Sequence, residues 1–274
     1  MELEQNRDRI RKQGLGLAAI SYDSPAVLKS FADRKHINFP LLSDSESKVI
    51  RAFGILNDTQ QPGSMTYGIP YPGTYIVDPK GVVISKYFED DYRERTTASD
   101  ILVRQFGETA STSGAAIEAK QVRLTAGAST TTARPQQRIV LTLDLALRPG
   151  MHVYAPGVAN YIPIEWKLDE GPFVKLHELK YPPSKKLRLK AIKEIAPVYV
   201  GRVRLSREIT FGAENTLRPL LTAAGDLVLK GSFRYQACDD RKCYLPETVP
   251  VEWHFQFEPL VRERVPAELQ RKNP

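Results

Sequence analysis

Cysteine is scarce in this sequence: its 274 residues hold only Cys238 and Cys243. Nothing before Cys238 can therefore act as a cysteine nucleophile. Two thiolates with no further Cys or His close by in sequence do not complete a tetrahedral site, which disfavours metal binding. Long apolar runs are missing too. No stretch approaches the roughly 18 apolar residues of a membrane-spanning helix, and Met1 opens on the charged stretch Glu2 to Lys12 instead of a basic-then-apolar leader. As written, the chain neither spans a membrane nor carries an export signal. Gly at 17 and Pro at 20 residues are near ordinary usage, excluding collagen-like and low-complexity classes. With 42% hydrophobic residues the chain has material for about two domains, each with its own core.

The net charge of +7 is unevenly placed. Residues 1–107 hold 14 Lys/Arg and 14 Asp/Glu, so the 25 basic and 18 acidic residues beyond supply the whole excess. The densest cluster is Lys185, Lys186, Arg188, Lys190 and Lys193. Leu187 and Leu189 alternate with these charges, and Pro182-Pro183 precedes them. That pattern is the solvated face of an edge strand or loop, so no nucleic-acid partner is expected.

Residues 1–107 alternate helical and strand signals. Leu3 to Lys12 is a charged helix with Gly14 at its stop, and Leu15 to Ile20 reads as a short buried strand. Ser24-Pro25 supplies an N-cap and a first-turn proline for a helix toward Arg34. Pro40 to Asp44 is a short extended segment, and Ser45 to Phe53 is a helix stopped by Gly54. Thr74–Val77 and Val82–Phe88 form a hairpin across Asp78-Pro79-Lys80-Gly81, and a helix from Ala98 to Phe106 closes an α/β unit.

Residues 108–117 are small and polar, the composition of a linker. Beyond them the apolar period switches to two. Ile139, Leu141, Leu143, Leu145 and Leu147 form one alternating series, Leu227, Leu229, Phe233 and Tyr235 a second, and Val249, Val251, Trp253, Phe255 and Phe257 a third. With further short strands and no convincing helix, residues 118–258 read as an all-β immunoglobulin-like sandwich, followed by a loose tail at 259–274.

Cys238 and Cys243 flank Asp239-Asp240-Arg241-Lys242 at the tip of a hairpin, where opposed positions bring Cα atoms to about 5.5 Å, within disulfide reach. Closing so short a loop limits the unfolded chain by only about 2 kcal/mol, a weak staple. An exposed pair at a tip is instead open to an attacking thiolate. Redox exchange, a structural clasp and metal binding are the three readings of these residues.

The stretch Tyr235-Gln236-Ala237-Cys238-Asp239-Asp240-Arg241-Lys242-Cys243-Tyr244-Leu245-Pro246-Glu247-Thr248 resembles the active-site segment of the N-terminal domain of the DsbD thiol:disulfide interchange family. Pro149-Gly150-Met151-His152-Val153-Tyr154 and Tyr199-Val200-Gly201 support it, over about residues 118–258; the inter-cysteine loop is one residue shorter than in the best-known member. The resemblance implies that Cys243 attacks a partner disulfide and Cys238 resolves the mixed disulfide. It also implies that Tyr199 shields the pair and that His152, Tyr154 and Tyr244 shape the site. For His152 and Tyr199 ordinary strand packing is the competing reading. The family's partners are oxidised proteins outside the cytoplasm and a membrane-embedded electron donor.

Ala19-Ile20-Ser21-Tyr22-Asp23-Ser24, Phe39-Pro40-Leu41-Leu42-Ser43-Asp44 and Tyr71-Pro72-Gly73-Thr74-Tyr75-Ile76-Val77-Asp78 resemble the redoxin (AhpC/TSA, peroxiredoxin-like) branch of the thioredoxin fold. The family's first core strand and its peroxidatic cysteine have no counterpart here, so peroxidase activity is not expected of this chain. Pro72 resembles the cis-proline position of thioredoxins. The missing strand belongs between the Leu15–Ile20 and Thr74–Val77 strands, which leaves a gap in the sheet. From this we expect that Met1 is an internal or mis-assigned start, with the strand, its cysteine and an export signal encoded upstream.

The sequence therefore leads to a thioredoxin-like α/β domain lacking its first core strand, joined to an immunoglobulin-like exchange domain. The expected function is thiol–disulfide exchange with protein partners through Cys238 and Cys243, outside the cytoplasm, with no cofactor. The competitors are a protein-binding module with a plain disulfide, and one part of a peroxiredoxin-like antioxidant protein.

Overall fold

In a computed structural model the described residues are 2–64, 66–88, 95–108, 111–112, 116–158, 161–189, 194–261 and 266–269. Met1, linker residues 109–110 and 113–115, tail residues 262–265 and 270–274, and Lys190 and Lys193 lie outside them. The chain divides into two compact units, Met1–Phe106 with Val261–Pro274, and Gly107–Leu260.

In the first unit, helix Glu2–Lys12 packs Ile10 against Ala98 and Leu102 of helix Ala98–Phe106. The Glu2 carboxylate accepts from the backbone N–H of Ala98 (3.0 Å) and Ser99 (2.9 Å), satisfying amides at the start of that second helix. Ser24 caps helix Pro25–Lys35 as expected, its side chain accepting from Val27 N–H. Helix Lys48–Ala52 is shorter than the expected Ser45–Phe53: Asp44 accepts from Lys48 and Ile50 N–H, and Ser47 adopts a left-handed φ of 54°, which starts the helix later. The expected Leu15–Ile20 strand is confined to Ala19–Ser21, because Leu15 and Leu17 pack against the Ile10–Leu102 cluster.

The first unit's strands form two separate ladders. Ala19–Ser21 pairs in parallel with Leu41–Ser43, and Gly73–Val77 pairs antiparallel with Val83–Phe88. No described strand joins them. Ile20 (42% exposed), Leu42, Val77 and Ile84 show apolar surface to solvent. Among its described residues the thioredoxin-like α/β unit therefore has two short ladders and no continuous sheet joining them.

The second unit is strand-rich, with two facing sheets around one core. One sheet runs in the order Val174–Lys180, Arg202–Phe211, Gln137–Leu147, Val122–Ala128, with Ser111–Thr112 and Ile117–Glu118 pairing on its last strand. The facing sheet runs Glu165–Leu168, Asp226–Tyr235, Glu247–Phe257, Thr132–Ala133. The predicted alternation holds on the last long strand: Val249, Val251, Trp253 and Phe255 are buried, while Glu252, His254 and Gln256 face outward. Trp253 ties the sheets together, since its indole N–H donates to Gly127 O at 3.0 Å while its ring stacks on Trp166. The short helix Glu214–Leu217 and the 3-10 turn Arg218–Leu220 correct the expectation that this domain has no helix. Leu217 drives that turn by burying its side chain fully in the sandwich core.

A third, smaller sheet carries the cysteines. Its order is Lys185–Leu189, Glu194–Val200, His152–Tyr154, Ala237–Cys238. Two glycine turns hand the chain from the sandwich into it: Gly150 (φ 79°) before His152, and Gly201 (φ 69°) after Val200. Leu147 N–H donates to Gly201 O at 2.8 Å, fastening the two turns together. Gly201 also separates strand Glu194–Val200 from strand Arg202–Phe211.

Candidate thiol–disulfide site

Cys238 and Cys243 are joined by a disulfide with an S–S distance of 2.01 Å. They stand directly opposite each other in the hairpin, bracketed by Tyr244 N–H donating to Ala237 O and Asp239 N–H donating to Lys242 O, both at 2.9 Å. Their Cα atoms are 4.0 Å apart instead of the expected 5.5 Å. The reason is the register: the two cysteines form the non-hydrogen-bonded kind of antiparallel pair, which is the closer kind.

Sequence reasoning treats the pair as exposed, and this is half corrected. Cys243 is exposed, whereas Cys238 is only 1% exposed. Cys238 is buried because its strand pairs with His152–Tyr154 and packs with Tyr154, Ala196 and Val198 in a small second core. The two sulfurs are therefore inequivalent, with one open to a partner and one protected behind it.

The inter-cysteine loop is held by its own first residue. The Asp239 carboxylate accepts from Arg241 N–H (2.7 Å), Lys242 N–H (2.8 Å) and Tyr244 O–H (2.9 Å). Those backbone donors, led by Arg241, lower its pKa below the ordinary aspartate value, and the same contact raises that of Tyr244. Gln236 Nε2 donates to Tyr244 O at 3.0 Å, fixing the far side of the loop. Asp239 is thus committed to turn geometry, and its charge is directed at the loop amides.

Tyr154 reaches both sulfurs. Its hydroxyl lies 3.8 Å from Cys243 Sγ and 3.7 Å from Cys238 Sγ. A disulfide sulfur carries no proton, so the hydroxyl is the donor. Burial, and secondarily the Glu194 charge, raises its pKa and keeps it protonated. Tyr161, which sequence reasoning misses, stacks on Tyr154 with centroids 4.3 Å apart and donates its hydroxyl to Glu194 Oε2 at 2.6 Å. That hydrogen bond is the main cause of a Tyr161 pKa pushed up to about 12. Val158 packs on the same cluster. A Tyr in a loop carries no period, so only the fold could reveal it.

His152 lies opposite Cys238 in the register, 4% exposed, with its ring edge-on to Tyr154 at 5.6 Å. Its Nε2 is buried without a hydrogen-bond partner. Burial lowers its pKa, with Asp240 and Asp239 opposing the shift.

Tyr199 does not shield the pair. Strand alternation turns it to the opposite face, where it joins the sandwich core and donates its hydroxyl to Pro182 O at 2.8 Å. The partly buried side chains packed on the cluster that holds Cys238 are Val158, Tyr161, Leu187 and Val200. Pro72 belongs to the first unit, half-buried and just before strand Gly73–Val77, while the cysteines belong to the second. No peptide bond among the described residues is cis, so the thioredoxin-like cis geometry is absent at Pro72.

Known proteins are similar to parts of this chain. Peroxiredoxin Bcp of Escherichia coli (strain K12) is 31% identical over 91 residues, covering 33% of this chain and 56% of the relative. Putative peroxiredoxin Rv2521 of Mycobacterium tuberculosis (strain ATCC 25618 / H37Rv) is 36% identical over 75 residues, covering 27% of this chain and 47% of the relative. The chain spans about half the length of the curated relatives it matches. Among solved structures, the N-terminal periplasmic domain of ScsB from Proteus mirabilis aligns with a TM-score of 0.35 at 10% identity, covering 54% of this chain and 52% of that one. The Neisseria meningitidis DsbD n-terminal domain in the reduced form aligns with a TM-score of 0.26 at 16% identity, covering 42% of this chain and 82% of that one. Residues 1–86 match the AhpC/TSA family model, and residues 121–252 match that of thiol:disulfide interchange protein DsbD, N-terminal.

Proposed function

We propose that the chain passes electrons by thiol–disulfide exchange at Cys238 and Cys243, toward protein partners outside the cytoplasm. The observation that carries this reading is the inequivalence of the two sulfurs, with Cys243 exposed and Cys238 1% exposed beneath it. Exchange requires an accessible attacking thiolate and a nearby resolving thiol that partners do not reach first.

A dithiol donor first reduces the pair. The Cys243 thiolate then attacks one sulfur of a partner disulfide, forming a Cys243–partner bond and expelling the other partner sulfur as a thiolate. Cys238, deprotonated, attacks Cys243 Sγ, re-forms the internal disulfide and releases the second partner thiolate. Two electrons leave the protein pair, and the two protons of its thiols end on the partner's thiols. Tyr154, within reach of both sulfurs, donates to whichever carries negative charge.

The first unit has no cysteine. In this reading it contributes no electron-carrying group of its own.

The test is a redox titration of the pair against glutathione or dithiothreitol, read by thiol alkylation and mass. A midpoint between about −120 and −270 mV is expected for an exchange module. A midpoint below about −300 mV marks a structural bond and hands the chain to the binding-module reading.

A further inference from the structure

The site sheet places Lys185, Lys186 and Arg188 in the same small sheet as the disulfide. The Lys185–Leu189 strand pairs with Glu194–Val200, that strand with His152–Tyr154, and that one with Ala237–Cys238. At about 4.8 Å per strand, three steps separate the basic edge from the Cys238 strand by roughly 15 Å, within one protein interface patch. Lys185 shares its row with Val198 and Tyr154. Lys186 and Arg188 alternate to the other face, so the edge shows charge on both sides.

These cations are unspent. Lys185, Lys186 and Arg188 are exposed, and among the described residues their side chains meet no carboxylate; the exposed Arg241 guanidinium beside the disulfide is likewise unpaired. The neighbouring carboxylates are largely committed. Asp239 holds the loop amides, Glu194 accepts from Tyr161 and Glu247 accepts from Tyr235. Apolar anchorage stands next to the reactive sulfur: Leu245, two residues beyond Cys243, is 89% exposed. Ile195, register partner of Arg188 on the adjacent strand, is 66% exposed and adds an apolar group to the other face of the same edge. An apolar anchor flanked by charge of one sign is the composition of a steered protein interface.

We propose that the Lys185–Leu189 edge and Leu245 beside Cys243 form the docking surface for an acidic protein segment carrying the sulfur that exchanges with the pair. The proposal rests on the exchange reading and adds the chemistry of the partner. Lysines on an edge strand also deter strand-to-strand aggregation, but that role needs no coupling to exchange, and the experiment separates the two.

The probes are two peptides of about a dozen residues, roughly 40 Å when extended and so able to span the surface. Each carries a central Cys as its mixed disulfide with 2-nitro-5-thiobenzoate, flanked by Glu in one and by Lys in the other. Reduced full-chain protein attacks the peptide sulfur through Cys243, and the coloured aryl thiolate leaves. Cys238 then displaces the peptide thiol, so the protein pair is oxidised as the mixed disulfide is reduced to two thiols. At about 20 mM salt the Glu peptide is expected to react about tenfold faster than the Lys peptide, the gap closing by about 300 mM. Replacing Lys185→Glu, Lys186→Glu and Arg188→Glu together should erase the preference, while the rate with neutral dipyridyl disulfide stays unchanged. If the triple variant fails to fold, Lys185→Gln with Lys186→Gln should reduce the preference about threefold.

Equal rates for the two peptides, or a preference that survives the substitutions, overturns the docking surface. Tight, salt-sensitive binding of a short fluorescent DNA duplex, lost in the triple variant, also overturns it by assigning the strand to nucleic acid. Failure of the exchange reading looks different: dipyridyl disulfide would then react no faster with the parent chain than with Cys243→Ser.

Discussion

Tyr161 stacks on Tyr154 with ring planes 18° apart, and Tyr154 holds its hydroxyl under 4 Å from both sulfurs of the disulfide. Removing that hydroxyl in Tyr154→Phe leaves the apolar packing and takes away a single donor. One hydrogen bond is worth about 1 kcal/mol, so exchange with a small disulfide should slow about fivefold with the pH dependence of the Cys243 thiol shifted upward. An unchanged rate and thiol pKa would show that the hydroxyl only fills space.

Cysteine substitutions separate the two proposed roles. Cys238→Ser should accumulate a stable mixed disulfide at Cys243 with a disulfide-bearing peptide, visible as an added peptide mass that dithiothreitol removes. Cys243→Ser should form no such adduct, because the remaining thiol lies in the small core. Equal trapping by both variants would contradict the assignment of attacker and resolver.

His152 gives the fold a pH dependence whose sign follows from its burial. Its folded pKa is below the ordinary 6.5, so above that value the residue is neutral in both folded and unfolded chains. As pH falls below it, the unfolded chain takes up the proton first, and stability drops until the folded pKa is passed. One proton limits the slope to about 1.4 kcal/mol per pH unit. Urea midpoints at about pH 7.5 and 5.5 should therefore differ more for the parent chain than for His152→Gln, and an equal drop would refute the assignment.

Trp253 should dominate the stability of the sandwich. It is fully buried, stacks on Trp166 and donates to Gly127 O across the two sheets. Trp253→Ala should cost about 3–5 kcal/mol, read as a lowered urea midpoint of the second unit. A loss under about 1 kcal/mol would mean that the sheets are held elsewhere.

The strands of the sandwich were legible because a half-buried strand must alternate apolar and polar residues, as Val249 to Phe257 do. Ser24-Pro25 announced its helix through capping chemistry, which is local. The lone cysteine pair could be read from spacing and a shared segment, and so could the absence of a thiol from residues 1–107. Burial of Cys238, exposure of Cys243 and the turning of Tyr199 into the sandwich core were decided by the tertiary structure alone. So were the stack of Tyr161 on Tyr154 and the sharing of one sheet by the basic edge and the disulfide. These depend on Gly150 and Gly201, whose left-handed turns bring together segments far apart in the chain. Residue type and spacing carry local preference, but which strands become neighbours, and which face each side chain takes, is settled only when non-local hydrogen bonds and burial are satisfied together.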